Sequence, residues 1–115
     1  MKITKASDEA KKKAEARLKK LRKQIDDADR NFLKSLANRF KVVAEIGRLK
    51  VKNGYPIHQQ SRMLEMLNGR KKDAEKLKLD GKLVYNIFDL IHSASITCQE
   101  DVAKEEQQKK KAKKK

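Results

Sequence analysis

The sequence predicts an all-α fold, a three-helix subunit with one very long first helix, on three observations. The 115 residues hold four Gly, one Pro and few aromatics against abundant Ala, Leu, Lys and Glu, a composition that favours helices over strands and turns. Apolar residues recur at helical spacing along two stretches. One carries Leu18, Leu21, Ile25, Phe32, Leu36, Val43 and Ile46; the other carries Val84, Ile87, Phe88, Ile91, Cys98 and Val102, with Ser95 among them. Stop signals bound these stretches at Asn53-Gly54, with Pro56 behind it, and at Asp80-Gly81.

The first helix is expected from near Ser7, a candidate N-cap with Glu9 and Glu15 toward the positive end, to about Lys52. At ~1.5 Å per residue it would extend roughly 65 Å if unbroken. One short second helix leaves much of so long an apolar stripe uncovered, whereas a second copy of the chain covers it, so a helical homodimer is expected. Two cations interrupt the stripe. Arg39 and Lys50 fall only about 20° apart on the helical wheel, inside the apolar arc, and no acidic residue lies there with them. Unpaired ions are costly in an apolar interior, so the missing counter-charge points to an anionic ligand.

The second helix is expected over roughly Gln59 to Lys76, with Met63, Leu64, Met66 and Leu67 on its inner side. Gln59 and Arg62 stand three apart just after the turn, where a helix N-terminus also offers free backbone N–H groups to an anion. The third helix begins after Asp80-Gly81. Its Ser95 and Gln99 are four apart and share the edge of an apolar face. Taken singly, such a Ser or Gln is ordinarily a satisfied or solvated group, and Arg62 alone can snorkel. Arg22 lies about 100° from Arg39 around the first helix and seventeen residues earlier. One ligand hardly touches both from one chain, but in an antiparallel pairing Arg22 of one subunit reaches the site built by Arg39 and Lys50 of the other.

The net charge of +15 is concentrated in the ends: residues 1–23 carry +7, residues 104–115 carry +5, and residues 24–103 carry +3. We therefore expect a basic extension over 1–14, a helical domain over 15–105, and a Lys-rich disordered tail over 106–115. A basic helical protein that binds nucleic acid or scaffolds a partner through these ends is the reading outside enzymology. No apolar run approaches the ~20 residues of a membrane span, and the start lacks a secretory h-region, so a cytoplasmic chain is expected. Cys98 is the single cysteine and is read as a packed, reduced thiol. His58 and His92 have no carboxylate or cysteine at metal-ligand spacing, and no phosphate loop, nucleophile motif or paired carboxylates appear. Neither metal nor cofactor is expected.

The constellation resembles the all-helical (type II) chorismate mutases. The resemblance is carried by Leu21-Arg22-Lys23-Gln24-Ile25-Asp26, Leu36-Ala37-Asn38-Arg39-Phe40, Ile46-Gly47-Arg48-Leu49-Lys50, Tyr55-Pro56, Arg62, and the run Phe88 to Gln99 with its Ser-x-x-x-Gln close. It spans about residues 15–105. It implies an intertwined homodimer of three-helix subunits, each pocket taking Arg39, Lys50, Arg62, Ser95 and Gln99 from one chain and Arg22 from its mate. It further implies chorismate as substrate, its Claisen rearrangement to prephenate as reaction, and Arg39, Lys50 and Gln99 as the catalytic groups. Docking on another enzyme of the aromatic pathway is a partner that the resemblance leaves open.

Many family members carry acidic residues where this chain has Met63 and, often, Asp where it has Gln59. The chain is similar in this to a branch resembling the mutase modules fused to the enzyme that opens the aromatic pathway, with Gln and a non-acidic residue at these places. Gln59, by side chain or backbone, is then expected at the substrate's ring hydroxyl. Met63 also fits isochorismate-pyruvate lyase, a relative on the same scaffold and the alternative activity. With the neutral Gln99 in place of a Glu, the resemblance implies activity that persists above pH 7.

Overall fold

The structure, a computed structural model, describes residues 7–113. They form three helices, α1 Asp8–Lys52, α2 Gln60–Lys76 and α3 Gly81–Lys113, with no strand among the described residues. The all-α expectation holds.

Local chemistry accounts for the boundaries. The Ala10 amide donates to Ser7 Oγ at 3.2 Å, and Asp8 and Glu9 occupy the first turn of α1, where carboxylates meet the positive end of the helix. At the other end Gly54 takes a left-handed φ of 71°, and the Tyr55 amide donates to the Lys50 carbonyl at 2.9 Å, closing the last turn. The α2 helix closes the same way, with the Leu79 amide donating to the Ala74 carbonyl at 2.8 Å and Lys78 in the left-handed position at φ 60°. Asp80 starts α3, its Oδ1 accepting from the Lys82 amide at 3.0 Å.

Two compact units divide the chain, Met1–Asn38 and Arg39–Lys115. In the first, α1 leaves Leu18, Leu21, Ile25, Phe32 and Leu33 exposed. In the second, Val43, Met66, Leu67, Ala74, Val102 and Ala103 form the buried core. There α1 meets α3 closely at Gly47, where an added Cβ would lie 2.6 Å from Val102 Cγ2 and 3.0 Å from Gln99 Cα. On α2 the burial rests on Met66 and Leu67, whereas Leu64, expected on the inner side, is 44% exposed.

The C-terminus differs from expectation. α3 remains helical through Lys113, across most of the stretch read as a disordered tail. Lys110, Lys111 and Lys113 in its last turn face the negative end of the helix, and Glu106 lies 3.9 Å from both Arg48 and Lys109. Lys114 and Lys115 lie outside the described residues, as do the first six residues of the expected basic extension. No helix among the described residues is long and apolar enough to cross a membrane.

Candidate active site

Within the Arg39–Lys115 unit a cavity of about 320 Å³ opens between the three helices. It brings together six of the seven expected site residues: Arg39, Lys50, Gln59, Arg62, Ser95 and Gln99. Apolar walls come from Val43, Ile46 and Met66, with Met63 beside Arg62. A few convergent polar groups on an apolar lining, at this size, suit a small-molecule ligand. Arg22 belongs to the Met1–Asn38 unit, where it is exposed on α1 beside Lys19, Lys23 and Asp26.

The two cations of the α1 stripe are half-buried, and each is held by α3. Arg39 Nη1 donates to Ser95 Oγ at 3.0 Å, and Lys50 Nζ donates to Gln99 Oε1 at 2.9 Å and to the Ile57 carbonyl at 2.7 Å. The second acceptor follows from the cap at Gly54, which turns the chain back over the last turn of α1. Among the described residues no carboxylate lies within ion-pair distance of Arg39 or Lys50. Burial lowers the pKa of Arg39 below the usual guanidinium range, and the like charges of Arg70 and Arg62 lower it further. Burial also lowers that of Lys50.

Donor counting shows what these groups still offer. An ammonium has three protons, and Lys50 uses two on Ile57 and Gln99, leaving one. Because Gln99 Oε1 accepts from Lys50, its amide N–H₂ remains as a donor group. Gln99 itself is buried and lines the cavity, and His92 Nε2 beside it is buried with no hydrogen-bond partner among the described residues. Ser95 differs. Its Oγ donates to the Ile91 carbonyl at 2.7 Å, so in this state the hydroxyl serves to place Arg39 and must rotate before it can donate to a ligand.

Gln59 occupies the N-cap position of α2 but makes no side-chain cap bond, which leaves its amide free at the cavity mouth. Arg62 pairs with Glu65 at 3.3 Å on exposed surface, a contact of little strength that a ligand can replace.

Two polar lining residues were not assigned a binding role from the sequence, Arg70 and His92. Arg70 follows Arg62 and Met66 at four-residue steps, on the row that Met66 turns inward, and that spacing is the signal that could have found it. His92 lies three residues before Ser95. Burial lowers its pKa first, and nearby His58, whose ring centroid is 5.6 Å away, lowers it further; Asp89 opposes, while Arg39 and Lys50 add to the fall. No group of three or more His, Cys, Asp or Glu among the described residues is placed to hold a metal ion.

Residues 21–100 match the family described as Chorismate mutase type II. The T-protein of Enterobacter agglomerans is 37% identical over 86 residues, 75% of this chain and 23% of that protein. The T-protein of Haemophilus influenzae is 34% identical over 71 residues, 62% of this chain and 19% of that protein. The chain thus spans about a fifth to a quarter of the length of these curated relatives.

Proposed function

We propose that this chain, which belongs to the type II chorismate mutase family, is a chorismate mutase that converts chorismate to prephenate in aromatic amino-acid biosynthesis. The observation that carries the reading is the pair Arg39 and Lys50. They are two half-buried cations, fixed by Ser95 and Gln99 and paired with no carboxylate of the described chain, in a cavity of small-molecule size. A doubly negative ligand such as chorismate supplies the missing charge.

The rearrangement breaks one C–O bond and forms one C–C bond within a single molecule. Arg39 and Arg62 hold the carboxylates so that the enolpyruvyl arm folds over the ring, a near-attack geometry that is rare for the free substrate. As the C–O bond breaks, the ether oxygen gains negative charge. The unused proton of Lys50 and the N–H₂ of Gln99 meet that oxygen, and their hydrogen bonds strengthen in the transition state, which raises the rate of the chemical step. Gln59, uncommitted at the start of α2, takes the ring hydroxyl.

The active assembly in this reading is a homodimer, with Arg22 of one protomer completing the pocket of the other. Exposed Leu18, Leu21, Ile25 and Phe32 around Arg22 support it, because a partner helix would cover them. The compartment we assign is the cytoplasm, in keeping with the lone free cysteine Cys98.

Incubating the purified protein with chorismate, and separately with isochorismate, tests the assignment. Prephenate from chorismate is the expected product. Salicylate and pyruvate from isochorismate, with chorismate untouched, would move the assignment to the lyase, which the apolar Met63 in the lining favours. No turnover of either, with salt-sensitive polyanion binding that survives Arg39→Ala, would move it to the basic-protein reading.

A further inference from the structure

We propose that Arg70 is a fourth cation of the pocket from the same protomer, gripping one carboxylate of the bound dianion together with Arg39. The inference rests on the mutase reading and deepens it, naming a binding residue that the resemblance does not supply.

Arg62, Met66 and Arg70 occur at four-residue steps on α2, and all three line the cavity. The Arg70 guanidinium carbon stands 5.7 Å from the centroid of the Phe88 ring, so α3 provides a surface against which the flat group is set. Its carboxylate neighbour, Asp73, is 4.0 Å away, at the outer limit of an ion pair, and both side chains are substantially solvated. A pair of that kind contributes little and does not neutralise Arg70 toward the cavity.

The cavity itself supplies the stronger argument. The positive charge of Arg70 acts on Arg39 more than that of Arg62 does. Arg39 has one hydrogen bond, to a neutral hydroxyl, and no carboxylate. Two guanidiniums therefore bear on one space, repel each other, and have no anion of the described chain between them. A carboxylate placed there turns one repulsion into two attractions, and its two oxygens match the paired N–H groups that each guanidinium presents. Were Arg70 only a packing residue on Phe88, a neutral side chain of similar reach would serve as well.

Full-length Arg70→Gln and Arg70→Lys separate these roles, with Phe88→Leu as the variant that removes the stacking surface and keeps the charge. A carboxylate contact made in both ground and transition states raises KM with kcat little changed. For Arg70→Gln we expect KM for chorismate to rise about ten- to a hundredfold, the range for a hydrogen-bonded charge, with partial recovery in Arg70→Lys. Phe88→Leu should lower the thermal midpoint and move KM less. Calorimetric titration with prephenate, itself a dicarboxylate, should show the same loss for Arg70→Gln without any turnover. An active wild type whose KM and prephenate affinity are unmoved by Arg70→Gln overturns the role of Arg70 and leaves the mutase reading intact. A wild type that converts no chorismate, yet binds prephenate through Arg70, overturns the mutase reading alone. A wild type that binds no dicarboxylate overturns both.

Discussion

Lys50 carries the chemistry most directly. It sits in the last turn of α1, where its ammonium also favours the negative helix end, and its two protein acceptors fix the direction of the one remaining N–H. Removing one preorganised donor to a developing oxyanion costs about 10²–10³ in kcat. Lys50→Ala should therefore fall by that factor while far-ultraviolet circular dichroism retains the helical spectrum; near-wild-type turnover would remove Lys50 from the mechanism. The pH profile tests the same group. Burial lowers its pKa below the ordinary 10.5, so kcat/KM, which reports the free enzyme, should decline on the alkaline side at a pH below that value. A bound dianion favours the charged ammonium and raises its pKa, placing the corresponding limb of kcat at higher pH. Coincident limbs, or an order reversed, would count against a carboxylate-bearing substrate beside Lys50. Arg39 and Lys50 were legible in the sequence because two cations on an apolar arc violate the pattern around them. Arg70 and His92 were not singled out, although Arg70 continues the Arg62–Met66 row and His92 stands three residues before Ser95, because an arginine at the edge of a helix face also snorkels to water and a lone histidine also packs as a neutral ring.

At the scale of elements, the start of α1, the stop between α1 and α2 and the start of α3 were read well because each has local chemistry: Ser7, Gly54 and Asp80 act through atoms within a few residues. Burial was read less well. Leu64 suits the apolar arc of α2 yet stays exposed, and α3 persists past residue 105, where Arg48 and Lys109 flank Glu106. The closest packing hinges on Gly47, whose missing Cβ admits Val102 and the backbone of Gln99. Val102 could rotate away, but the α-carbon of Gln99 moves only with α3. Gly47→Ala gains helix propensity and loses this fit. Overpacking of this kind costs about 1–3 kcal/mol, so the thermal midpoint should fall, and kcat should fall with it because Gln99 is displaced from Lys50. A variant with raised stability and unchanged kcat would mean that the α1–α3 approach is looser than the structure shows.

For the whole molecule, the sequence raised a question that one chain leaves to be answered by assembly: Arg22 lies in the Met1–Asn38 unit, and the other six expected residues line a cavity in the Arg39–Lys115 unit. Leu18, Leu21 and Ile25 are exposed near it and Phe32 farther along α1, apolar side chains that a partner helix would cover. If Arg22 serves the pocket of a second copy, two inactive variants should rescue each other. In a mixed dimer of Arg22→Ala and Lys50→Ala chains, the pocket with an intact Lys50 faces the partner that retains Arg22, while the other pocket lacks both. Random exchange of equal amounts makes half of the dimers mixed, so activity should recover to roughly a quarter of wild type, as the two-fold symmetry of such a dimer requires. If Arg22 acts within its own chain, every pocket in the mixture carries one lesion. Activity after exchange would then stay at the sum of the two variants, and a mass measurement finding monomers would exclude the shared site outright.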